Sequence, residues 1–146
     1  MSRIPRVQAI ILPILREAFP DVNVRSWGED IDFRSFPILN IRRIGGTRNK
    51  NLPMDMDMAV VELTCYGDVG LPETEQLYLD ALEVLYHSVR TQRVTPEGYL
   101  HSLRETMGMT QFSSSMMDSW RVQGLIQVGI RPPNKLTNQE ISYVAK

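Results

Sequence analysis

Trp120-Arg121-Val122-Gln123-Gly124-Leu125-Ile126-Gln127-Val128-Gly129-Ile130-Arg131 alternates with the two-residue period of a β-strand. Trp120, Val122, Ile126, Val128 and Ile130 share one face, while Arg121, Gln123, Gln127 and Arg131 share the other. Leu125 is the exception. One apolar face and one polar face are what a sheet covered on a single side requires. Pro132-Pro133 closes the strand, because proline cannot continue a hydrogen-bonded ladder.

The same period recurs upstream. From Met56 to Tyr66, the set Ala59, Val61, Leu63 and Cys65 is uniformly apolar and should face the core; Met58, Val60, Glu62, Thr64 and Tyr66 point the other way. Phe36 to Ile44 reads as a strand centred on Ile38 and Leu39, with Arg42 and Arg43 at its exit. Gly45-Gly46 is expected to break it, leaving Gly45 to Pro53 as a polar loop. Val22 to Trp27 is a short strand. Tyr99 to Thr106 is another, followed by an irregular stretch from Met107 to Met117.

Two segments carry helical spacing instead. Ser2 and Pro5 suit a helix start, and Ile4, Val7, Ile10, Ile11, Ile14, Leu15 and Ala18 form a broad apolar face. Pro13 lies inside it and predicts a kink or two short helices; Pro20-Asp21 ends the element. Pro72-Glu73 opens a longer helix with the stripe Leu77, Ala81, Val84, Leu85 and Val89, ending in the cations of Arg90 to Arg93. Pro96-Glu97-Gly98 is a turn. The order implies an α+β fold: a mostly antiparallel or mixed sheet of about five strands, with two main helices packed on one face. Residues 1–133 are expected to form one domain, and 134–146 a tail that is flexible or ordered by a partner.

Bulk properties narrow the function. The 146 residues suit one domain, and 42% hydrophobic with 23% charged residues argues against bulk disorder. The one cysteine, Cys65, excludes an intrachain disulfide and a multi-cysteine metal site, and fits a reducing compartment. The apolar run Ala9 to Leu15 is too short for a bilayer, which needs ~20 residues, so no membrane association and no signal peptide are expected. A net charge of −1 argues against a dedicated nucleic-acid binder.

Charge is segregated along the chain. Residues 1–50 carry nine basic and five acidic side chains, whereas residues 51–80 carry seven acids (Asp55, Asp57, Glu62, Asp68, Glu73, Glu75, Asp80) and no base. Such segments could face one another within a fold, or supply complementary faces to neighbouring subunits.

Each candidate for chemistry lacks a necessary partner. Asp55 and Asp57 have strand spacing but no histidine or third carboxylate at ligand distance. His87 and His101 have no nucleophile or acid at a motif spacing. Cys65 falls on an apolar strand face without a cation to activate it. Arg42, Arg43, Gly45, Gly46, Thr47 and Arg48 could hold a phosphate, but their glycine spacing fits neither the Walker loop nor the dinucleotide fingerprint. Neither an enzyme nor a cofactor is expected. The segment is read as a contact loop, and Arg42, Arg43, Gly45, Gly46, Thr47, Arg48, Asn49, Lys50, Asp55 and Asp57 as candidate subunit or tube interface residues.

Several local patterns together resemble the tail terminators of long-tailed, siphovirus-type bacteriophages, especially those of actinobacterial hosts. They are the opening helix ending at Phe19-Pro20-Asp21-Val22, the Phe36-Pro37-Ile38-Leu39-Asn40-Ile41-Arg42-Arg43-Ile44-Gly45-Gly46 segment, the acidic strand from Asp57 to Tyr66, the helix from Thr74 to Val89, and Asp118-Ser119-Trp120 through Pro132-Pro133. The resemblance implies a virion protein assembled in the host cytoplasm into a homo-oligomeric ring, usually a hexamer, on the head-proximal end of the tail. Its implied partners are the tail-tube protein and a head-completion or connector protein, with DNA passing through the lumen. Alternative readings are a head-completion or tail-tube ring protein, or a small phosphate- or nucleotide-binding module.

Overall fold

A computed structural model of the chain describes residues 4–26, 35–114 and 118–133. Ser2, Trp27 and the tail 134–146 lie outside these residues. The element order is α1 (Val7–Ala18), β1 (Asn23–Ser26), β2 (Ile38–Arg48), β3 (Asp57–Gly67), α2 (Leu71–Thr91), β4 (Tyr99–Phe112) and β5 (Trp120–Arg131). The strands form one sheet in the order β1-β2-β3-β5-β4, in which only the β1–β2 pair is parallel. The α+β class and the mixed five-stranded sheet expected from the sequence are both present.

Strands β3 and β5 form the centre. Their register runs unbroken from Asp57 opposite Ile130 to Gly67 opposite Trp120. Ala59, Val61, Leu63 and Cys65 of β3, with Val122, Ile126, Val128 and Ile130 of β5, are fully buried on one face. Burying apolar surface at ~25 cal/mol per Å² is what holds this layer. Trp120, expected with that set, is instead 36% exposed, as the first residue of β5 at the end of the sheet.

Helix α1 lays Val7, Ile10, Ile11, Leu12, Ile14 and Leu15 onto the same core, whereas Ala18 is exposed. Pro13 does not split the helix, which runs on through it. The proline lies on the exposed side, so the backbone carbonyl that loses its donor faces water rather than the core. Proline still costs an interior helix site ~3 kcal/mol relative to alanine, partly offset by ~0.4–1 kcal/mol of unfolded-state entropy. Pro13→Ala should therefore stabilise the fold by about 2 kcal/mol, read as a melting temperature raised by roughly 6 °C.

Helix α2 is rotated relative to the predicted stripe. Its buried positions are Thr74, Tyr78, Ala81, Leu82, Leu85 and Ser88, while Leu77, Val84 and Val89 pack at the margin. A count of apolar letters misses Thr74 because its hydroxyl donates to the Gly70 carbonyl at 2.8 Å and so can be buried without penalty. The helix ends at Gln92 in the left-handed conformation, its N–H reaching back to Ser88 and Val89.

Two strands are longer than the sequence suggested. Strand β4 continues to Phe112, into the Met107 to Met117 stretch expected to be irregular (115–117 lie outside the described residues), with register shifts between Leu100 and Ser102, Glu105 and Met107, and Met107 and Thr110. Bulges let an edge strand follow a twisted partner while disturbing the alternation by which strands are read. Strand β2 likewise passes Gly45-Gly46 and ends only at Arg48. The glycine pair marks a bulge, not a break.

A candidate assembly interface

The β2–β3 hairpin carries the sequence-predicted contact residues. Its register shifts between Arg43 and Gly45, after which Gly46 pairs with Ala59 and Arg48 with Asp57. Gly46 takes φ +94°, and a Cβ there would lie 2.1 Å from the Met58 carbonyl oxygen. Only glycine allows both that angle and that approach.

Arg43 fastens the bulge. Its Nη1 and Nη2 both donate to the Asp57 carboxylate, Nη2 at 3.0 Å, while Nε donates to the Gly45 carbonyl at 3.0 Å and Nη2 to that of Gly46 at 3.3 Å. One planar guanidinium thus spans the irregular backbone and the first residue of the returning strand. Beyond it, the Asn49 side-chain oxygen accepts the N–H groups of Asn51 (2.8 Å) and Leu52 (3.0 Å), and Arg48 Nη1 donates to the Pro53 carbonyl at 3.1 Å. These bonds shape the loop from within.

At the tip the chemistry faces outward. Met54 is 70% exposed, with Leu52 and Ile44 more than 40% exposed nearby. Thr47, Arg48 and Lys50 are also exposed, and Lys50 has no hydrogen bond or ion pair among the described residues. Asp55 sits in the turn before Asp57, half-buried. The predicted set therefore divides. Arg43, Gly45, Gly46, Arg48, Asn49 and Asp57 build the hairpin; Thr47 and Lys50 are presented by it.

Arg42 points elsewhere. It pairs with Glu62 on the adjacent strand at 3.1 Å, on the sheet face away from the helices. On this polar face Thr64 donates to Gln123 at 3.2 Å, Arg121 reaches Gln123 at 2.5 Å and stacks 5.1 Å above the Phe112 ring. Burial raises the Tyr66 phenol above its ordinary range, against the opposing pull of Arg121 and with a further push from Glu62. The phenol stays neutral and uncharged at physiological pH.

A second surface escaped the sequence reading. A cleft of about 1090 Å³ runs between the C-terminal halves of α1 and α2, lined by Ile14, Ala18, Asp80, Glu83, Val84 and Tyr86 among others. Glu17 and Arg93 close one side with an ion pair. The signal available in the sequence was Tyr86, an aromatic side chain of α2 that falls outside the predicted apolar stripe and is exposed.

The candidates for chemistry find no assembly. His87 is exposed on α2, with Nδ1 3.3 Å from Arg90 Nη2, and His101 is exposed on β4. Cys65 is fully buried, and burial pushes its thiol far above the usual range. Among the described residues no group of three His, Cys, Asp or Glu side chains could hold a metal, and no helix is long and apolar enough to cross a membrane.

Known proteins share this chain's pattern. Residues 3–137 match the family described as phage tail termination protein. The Gene 22 protein of Mycobacterium phage L5 is 56% identical over 135 residues, covering 91% of this chain and 97% of that protein. The Gene 22 protein of Mycobacterium phage D29 is 53% identical over 139 residues, covering 94% and 100% respectively. A chain from the virion of a native gene transfer agent particle has a similar fold, with a TM-score of 0.53 and 14% identity, over 86% of this chain and 94% of that one.

Proposed function

We propose that this chain, which belongs to the phage tail termination protein family and is a structural protein of the virion tail, closes into a ring at the head-proximal end of the tail tube. There it ends tube growth and offers its other surface to a head-completion or connector protein, with DNA passing through the lumen. A hexamer is the copy number that the resemblance implies.

The observation that carries this reading is the β2–β3 hairpin. Its base is clamped from within by Arg43, yet its tip holds out Leu52 and Met54 to water, and Ile44 is exposed at the bulge. Exposed apolar side chains on an internally braced support are costly for a solitary subunit and useful to one that docks. A cyclic ring also needs two different complementary surfaces on each subunit. The near-neutral net charge of −1 suits a lumen that conducts DNA without gripping it.

Native mass spectrometry and negative-stain microscopy of the purified chain test the ring. A closed oligomer of fixed copy number is the expected result, and open tubes of variable length would instead indicate a tube protein. Replacing 49–55 with a two-residue Asn-Gly turn should leave a folded monomer that no longer forms rings and no longer sets tail length. Virions of normal tail length made with that variant would remove the hairpin from the interface.

A further inference from the structure

We infer that the cleft between α1 and α2 receives the β2–β3 hairpin tip of a second copy of this chain, with Lys50 of one copy meeting Glu83 of the next. The inference rests on the ring reading and deepens it by naming the receiving surface.

Exposure and charge carry the argument. The tip offers Leu52 and Met54 beside Lys50 and Arg48, an apolar wedge with a basic rim. The cleft offers an apolar floor of Ile14, Ala18, Val84 and Tyr86, edged by the acids Glu17, Asp80 and Glu83 and by Arg90 and Arg93, of which Arg93 is already paired with Glu17. Lys50 and Glu83 are both exposed, and neither makes a hydrogen bond or ion pair among the described residues. Asp80, by contrast, already accepts a bond from Gln76 at 2.9 Å. The free cation of the tip thus has a free anion awaiting it at the cleft.

Size and placement agree. At about 1090 Å³ the cleft is larger than a typical small-molecule site of ~300–1,000 Å³ and open enough for a chain segment. No residue of 44–56 lines it, so tip and cleft are different surfaces of one subunit. That is the heterologous geometry from which rings are built. Buried apolar contact would supply affinity, and the charge pair would set register and reject the wrong neighbour.

Charge reversal with rescue tests it. Lys50→Glu and Glu83→Lys should each lower the yield of infectious particles at least tenfold when supplied by complementation, because each sets like charges against one another at every subunit junction. The double variant, Lys50→Glu with Glu83→Lys, should return yield to within about threefold of the unmodified chain. Both side chains are exposed, so melting temperatures of the purified variants should match and exclude misfolding as the cause. Wild-type yields from the single reversals, or a double variant no better than either single, would overturn the inference. Lysine-directed crosslinking of unmodified particles separates this from the ring reading: oligomers of this chain keep the ring whatever the charge swap does, and monomer alone would defeat the ring itself.

Discussion

Gly124→Val should lower the melting temperature by about 10 °C, the largest effect expected from a single substitution in the core. A Cβ at Gly124 would stand 1.8 Å from the Tyr78 hydroxyl oxygen, 2.8 Å from its Cζ and 2.9 Å from the Met107 carbonyl oxygen. Tyr78 is fully buried on α2, so its ring cannot swing into water without opening the helix–sheet interface. Overpacking of this kind costs ~1–3 kcal/mol, and the upper end applies where a backbone oxygen is among the obstacles. At ~3 °C per kcal/mol for a chain of this size, thermal denaturation followed by circular dichroism would register it. Tyr78→Phe supplies the control. Among the described residues the buried tyrosine hydroxyl has no hydrogen-bond partner, so removing it should leave stability unchanged or raise it by up to ~1 kcal/mol. Combined with Gly124→Ala, it should recover part of the loss, since the nearest obstructing atom is gone. A Gly124→Val variant melting with the parent would show that α2 does not rest on β5 in this way.

Arg43→Ala is the second large effect, and it acts on the hairpin. The substitution removes both donors from the Asp57 carboxylate and frees the Gly45 and Gly46 carbonyls. Asp57 is 7% exposed, and stripping the partner from a buried charge costs ~3–5 kcal/mol. The Arg43 side chain is itself one-third exposed, so solvent screening reduces the expected loss to about 2 kcal/mol, or roughly 6 °C. Arg43→Lys should not restore the parent, because a single ammonium cannot serve the carboxylate and the bulge together. The pair should also be coupled: adding Asp57→Ala to Arg43→Ala should cost less than the two single losses combined. Additive losses in that cycle would mean that the guanidinium braces the backbone alone. In the Arg43→Ala variant, hydrogen exchange should report faster opening of residues 44–56 than of the β3–β5 centre, a local loosening of the hairpin.

The central strands were legible because alternation is a local property. β5 was read to its residue limits, and Ala59, Val61, Leu63 and Cys65 were assigned to the core they occupy. Where the reading failed, the cause was backbone irregularity or a polar side chain satisfied in place. The Gly45-Gly46 pair resembled a stop because glycine is shared by turns and bulges, and only the opposing strand distinguishes them. Strand β4 was cut short because its three register shifts scramble the period-two signal. The α2 stripe was misplaced because Thr74 and Ser88 are buried polar residues and because Tyr78 needed a partner that the helix could not reveal.

The same division holds for the candidate interface. Gly45 to Pro53 stood out by composition, as a basic, glycine-marked stretch between two strands. Which of its residues build the hairpin and which are offered by it could not be read there. Arg43 and Asp57 are separated in sequence and meet only through cross-strand register, while the cleft exists only where two helices far apart in the chain lie together.

By itself, then, the sequence determined the class of the fold, its central strands and the family, because these rest on periodicity and on local patterns carried within single segments. Tertiary structure alone decided that a bulge rather than a break shapes the hairpin, that Tyr78 seats over Gly124, and that a cleft lies ready beside Glu83. Each of those depends on the distance between side chains that the chain brings together only after the core has formed.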